Sequence, residues 1–82
     1  MPRRKPTTLT HRQALLVREL AYTPGNPVTW PVLADAIGEP ATARGKFRVD
    51  SHIQNIRAKF GRDAILGERG HGYYLPKGWE RR

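Results

Sequence analysis

Cysteine is absent from this 82-residue sequence, methionine occurs once, and acidic residues are few: seven Asp and Glu against fifteen Lys and Arg. Without cysteine there is no disulfide and no thiolate metal site, which fits a reducing compartment. No apolar run approaches the ~20 residues of a membrane-spanning helix, and no signal-peptide pattern opens the sequence. The expectation is therefore a cytoplasmic protein. The three histidines are far apart and lack metal-ligand spacing. Gly67-x-x-Gly70-x-Gly72 leads into no helix start and so cradles no phosphate. No nucleophile–base pair or carboxylate pair appears. No metal, no cofactor, no small-molecule substrate, no membrane and no enzymatic activity are expected.

The charge imbalance points the other way. A net charge of +8 on so short a chain favours a polyanionic partner, through summed Coulomb attraction and counterion release. The simpler explanation of such a charge is high solubility alone. A chain of this size buries only about 60% of its unfolded surface, so it holds one domain with a modest core.

Residues 1–8 combine proline, threonine and Arg3, Arg4 and Lys5 without apolar periodicity, and read as a disordered basic arm. Such an arm either enters a minor groove or only aids solubility. Thr10 with Gln13 forms a capping-box pattern, and Leu16, Val17 and Leu20 follow at helical spacing. This first helix should end near Tyr22, before Pro24-Gly25. Leu15 and Tyr22 lie on a different side from that stripe, either covered by a tail or forming a protein interface. Thr29 opens a brief second helix from Trp30 to about Ile37, with Pro31 in its first turn and Gly38 at its end. Residues 39–45 read as a loop, and Phe47 is expected to pack beneath it.

The third helix is expected from Lys46 or Phe47 to Phe60. Val49, Ile53, Ile56 and Phe60 form its apolar stripe. Ser51, Gln54, Asn55 and Ala58 form the opposite face, and Lys46, Arg48, His52, Arg57 and Lys59 run along the flanks. A helix of this kind suits the major groove: the stripe anchors it, the polar face reads bases and the basic edges meet phosphates. Two short strand patterns follow, 64–67 and 72–75, joined by the Gly-containing turn 68–71. The fold expected is α+β and mostly α: a winged helix-turn-helix over residues 9–76, with three helices, a C-terminal hairpin wing and a basic tail at 77–82.

The residues also resemble a known family. Leu9-Thr10 with Gln13, Leu16-Val17 and Leu20 resembles the first-helix signature of OmpR/PhoB-type winged-helix effector domains. Pro24-Gly25-x-Pro27-Val28-Thr29 with Leu33 is similar to the segment that follows. Val49-Asp50-x-His52-Ile53 with Ile56-Arg57-x-Lys59-Phe60 resembles the recognition helix, and Arg69-Gly70-x-Gly72-Tyr73 the wing.

That resemblance implies a double-stranded DNA partner and transcriptional regulation. It places base contacts near Asp50, Ser51 and Asn55 and phosphate contacts at Arg48, His52, Gln54 and Arg57, with Lys59 beside them. Arg69 falls at the wing arginine of the minor groove, and Tyr73 at a structural tyrosine. Asp50 has two readings: an acceptor for a cytosine amino group, or a cap and ion-pair partner within the helix. Family members usually carry a receiver domain and an N-terminal sheet; with nine residues before Thr10, neither is expected here, and localisation is expected at the nucleoid. The 39–45 loop lies where family members touch RNA polymerase, and its short Ala/Gly-rich make-up favours repression by occlusion over activation. A homodimer or a polymerase contact is open. The alternative class is a winged-helix adaptor that binds a polymerase or another host protein through Leu15 and Tyr22.

Overall fold

The structure, a computed structural model, describes residues 9–79. The basic arm with Arg3, Arg4 and Lys5, and the last three residues of the tail, lie outside the described residues. The first helix, α1 (His11–Ala21), starts at a complete capping box. Thr10 Oγ1 accepts from the Gln13 backbone N–H at 3.2 Å, and Gln13 Oε1 accepts from the Thr10 N–H at 3.1 Å. Two otherwise orphaned donors at the helix start are thereby satisfied. The second helix, α2 (Trp30–Ala36), has Pro31 in its first turn and stops at Gly38, whose φ of +76° suits a residue without Cβ.

The third helix corrects the expectation from sequence. α3 spans Ala43–Phe60, so it begins a turn earlier than Lys46, and the α2–α3 turn is shorter than residues 39–45. Thr42 is the N-cap, with Oγ1 accepting from the Gly45 N–H at 3.4 Å. Gly45 reads as a helix breaker but sits buried inside the first turn. A Cβ there would lie 1.8 Å from the Pro40 carbonyl oxygen. Only glycine lets the turn backbone come that close to the helix.

The same geometry moves Phe47. At 100° per residue it lies about 200° around the helix from Val49, opposite the core. It does not pack beneath a loop; 68% of its surface is exposed.

The core forms where the three apolar faces meet: Leu16 and Leu20 of α1, Leu33, Ala34 and Ile37 around α2, and Val49, Ile53 and Ile56 of α3. Ile65 and Leu75 close it from below the hairpin. Phe60, the last residue of the expected stripe, is half-exposed at the helix end, beside Leu9, Val17 and Trp79.

The hairpin pairs β1 (Leu66–Glu68) with β2 (Gly72–Tyr74) in antiparallel register, Leu66 opposite Tyr74 and Glu68 opposite Gly72. Val28 adds a bridge on the far side of β2: its N–H donates to the Tyr73 carbonyl at 2.7 Å, and its carbonyl accepts from the Tyr73 N–H at 3.0 Å. Gly72 permits that approach, since a Cβ would meet the Val28 oxygen at 2.0 Å. The wing is thus tied to the segment that leads into α2. Three helices and this hairpin make the α+β, mostly helical winged helix-turn-helix fold.

Candidate nucleic-acid interface

α3 has three surfaces besides its buried stripe, and each holds a different part of the expected site. The outward arc carries Arg44, Phe47, Arg48, Gln54 and Asn55, all exposed, with Ser51 half-buried among them. Gln54 and Asn55 each offer an amide donor and acceptor in one plane, the pairing that adenine presents in the major groove.

The flank toward the wing carries Asp50 and Arg57, and both are engaged there. The Tyr73 hydroxyl donates to Asp50 Oδ1 at 2.9 Å. Arg57 Nε donates to the Ile65 carbonyl at 2.9 Å, and its guanidinium carbon stands 5.6 Å from the Tyr73 ring centroid. Burial, the hydrogen bond to Asp50 and the Asp50 charge all raise the Tyr73 pKa above its usual value, so the phenol keeps the proton it donates. Of the two readings of Asp50, this contact is closer to the structural one, but the partner is the wing tyrosine.

The flank toward α1 carries His52 and Lys59. Lys59 Nζ donates at 3.0 Å to Gln13 Oε1, the oxygen that also receives the Thr10 N–H. One end of α3 is thereby fastened to the α1 capping box. His52 is half-buried beside Arg12 and Arg48, and its Nδ1 is buried without a hydrogen-bond partner. Arg12 itself donates from Nη1 to the Ile37 carbonyl at 2.7 Å and to Glu39 Oε1 at 3.1 Å. Burial, then Arg12 and Arg48, lower the His52 pKa below 6.5, and Glu39 only partly offsets them.

The folded state binds the His52 proton less well than the unfolded chain, so this stability is present above pH ~6.5 and is lost as pH falls through the lowered folded value. Urea unfolding at pH 7.5 and 5.5 is expected to show lower stability at 5.5, and His52→Gln should flatten that difference. An equal slope in His52→Gln would rule the histidine out as its source.

Arg69 lies exposed at the wing tip. Between the wing, the start of α2 and α3 is an open cleft of about 660 Å³, lined by Trp30, Lys46, Asp50, Arg69, His71 and Tyr73. Lys46 and Arg69 thus line one concave surface. The helix pattern in the sequence sets Lys46 on a flank, and the 39–45 loop expected there takes in Arg44. Arg44 became legible only with the true helix start. Leu15 is half-buried, whereas Tyr22 is 64% exposed with its hydroxyl receiving Arg18 Nε at 3.3 Å. Among the described residues, no helix is long and apolar enough to cross a membrane.

Residues 4–75 match the family described as "Transcriptional regulatory protein, C terminal". The chain is also similar to transcriptional regulatory protein CseB of Streptomyces coelicolor and to its counterpart in Streptomyces avermitilis, each 31% identical over 71 residues. The matched stretch covers 87% of this chain and 30% of each relative, so the chain spans under a third of their length.

Proposed function

We propose that this chain, which belongs to the family of transcriptional regulatory protein C-terminal domains, binds double-stranded DNA with the outward arc of α3 in the major groove and the wing at the minor groove. The family is the OmpR/PhoB type of DNA-binding winged helix. The observation that carries the reading is the exposed arc itself: Gln54 and Asn55 are exposed with no hydrogen-bond partner among the described residues, while Arg44 and Arg48 are exposed on the same arc and Lys46 and Arg69 line the neighbouring cleft. In this reading Gln54, Asn55 and Ser51 read bases, and Arg44, Lys46, Arg48 and Arg69 meet phosphates. Asp50 and Arg57 hold the wing, and Lys59 holds α3 against α1. Regulation is by occlusion of a promoter, because the short α2–α3 turn offers polymerase little surface.

The experiment is selection of bound duplexes from a random pool, followed by affinity measurement against salt. Four phosphate contacts give a log–log slope of roughly −3.6. Asn55→Ala is expected to relax the preference at one base position, at a cost of about 1–3 kcal/mol there, with other positions unchanged. Absence of enrichment at low salt, with binding to protein partners lost on Tyr22→Ala, would instead support an adaptor that docks through the exposed α1 tyrosine. A repeated motif in the selected duplexes would indicate binding as two copies.

A further inference from the structure

Phe47, Ser51, Gln54 and Ala58 follow one another at intervals of four, three and four residues, so they form a single line down the outward face of α3. Small or polar residues fill three of those places. The fourth holds a phenylalanine with 68% of its surface in water, the largest exposed fraction among the big apolar side chains described. A single exposed apolar residue is ordinarily unremarkable. This one stands in the second turn of the helix, with exposed Arg44, Lys46 and Arg48 around it.

A ring in that setting needs a partner that is anionic around its edge and apolar at its centre. A duplex major groove supplies both: phosphates along its walls and, on its floor, the C5-methyl group of thymine, the one apolar group that the base edges present. The first turns of a groove-docked helix also reach the base edges most closely.

We infer that Phe47 is a specificity-determining residue that selects thymine by packing its ring on the thymine C5-methyl. The inference rests on the DNA-binding reading above and adds a thymine-selecting contact to the polar readers. Phe47 and Asn55 are eight residues apart on the helix, about 12 Å along its axis, so they read different base pairs.

The test uses the full chain and the duplex it selects. Each thymine in that site is replaced singly by deoxyuridine, which lacks only the methyl group, and Kd is measured for the wild-type, Phe47→Ala and Phe47→Leu proteins. One replacement is expected to weaken the wild type about fourfold, the effect of withdrawing one buried methyl group. Phe47→Ala should bind thymine and deoxyuridine duplexes alike at that position, and Phe47→Leu should retain part of the difference. Because Phe47 touches no part of the core, circular dichroism should show all three proteins folded alike.

Methyl dependence that is absent in the wild type, or that persists unchanged in Phe47→Ala, overturns the inference while leaving DNA binding intact. Failure of the wild type to select or bind any duplex overturns both. A sedimentation shift from dimer to monomer on Phe47→Ala, with no methyl dependence, would make the ring a contact between two copies and overturn it as well.

Discussion

Gly45→Ala is expected to destabilise the domain by about 2 kcal/mol, although alanine is the better helix former. Propensity alone favours the substitution by ~1 kcal/mol. Against it stands the position a Cβ would take, 1.8 Å from the Pro40 carbonyl oxygen and 3.5 Å from the Ala34 methyl. The nearest obstacle is backbone, which cannot swing aside as a side-chain end can. Relief requires α2 and α3 to move apart, and forced overpacking of that kind costs roughly 1–3 kcal/mol, here at the upper end.

For a domain of this size the net loss corresponds to a fall in Tm of about 8–16 °C. Gly38→Ala separates clash from backbone strain. Gly38 has a φ of +76° but nothing within 4 Å of its absent Cβ, so its cost should be only the ~1 kcal/mol of the left-handed conformation. Thermal unfolding of both variants by circular dichroism decides the matter. A Gly45→Ala protein as stable as the wild type would mean that α2 and α3 do not approach as closely as described. A folded remnant should also bind DNA more weakly, because the same contact sets the angle at which α2 presents α3.

Gly45 illustrates where the sequence stopped being legible. Local signals were read correctly wherever their partners are close in the chain: the Thr10–Gln13 capping box, Gly38 ending α2, and the Val49, Ile53 and Ile56 stripe. The hairpin was legible for the same reason, since its glycines lie between two short β-prone runs. Gly45 was misread because glycine inside an apolar-poor segment signals a loop, and its true role is a contact with Pro40 across the α2–α3 turn. Phe47 was misplaced with it.

The flank residues are hard to tell apart in the sequence for a different reason. Arg48, His52, Arg57 and Lys59 are all basic or titratable and all lie beside the polar face, so spacing alone treats them alike. Which of them reach solvent depends on what docks on each flank. The wing takes Asp50 and Arg57, α1 takes Lys59 and crowds His52, and Arg48 is left exposed. That information is tertiary, and no window of a single helix contains it.

Arg57 is where this distinction has the largest functional effect. Arg57→Ala removes the Nε bond to the Ile65 carbonyl and the guanidinium over the Tyr73 ring. A hydrogen bond from a charged donor is worth about 1.5 kcal/mol at the lower end appropriate to a half-buried site. The ring contact adds roughly 0.5–1 kcal/mol. The variant is therefore expected to lose about 2 kcal/mol of stability with no DNA present. Of the polar contacts described between α3 and the wing, the variant keeps the hydrogen bond from Tyr73 to Asp50.

A loosened wing no longer presents Arg69 at a fixed distance from the reading arc. Affinity should then fall about tenfold on every duplex alike, and the salt slope should shrink by roughly 0.9, the loss of one phosphate contact. A direct phosphate ligand at this position predicts something different. Removing it would weaken DNA binding while leaving the free protein's Tm unchanged, and Arg57→Lys would restore most of the affinity by restoring the charge. A wing-holding arginine is not rescued that way, because an ammonium supplies neither the Nε–H nor a plane to lie over the tyrosine ring. Tm and Kd measured together on Arg57→Ala and Arg57→Lys therefore distinguish the two roles: a normal Tm with lysine rescue returns Arg57 to the phosphate contacts, and loss of both in both variants makes it the residue that fixes the wing.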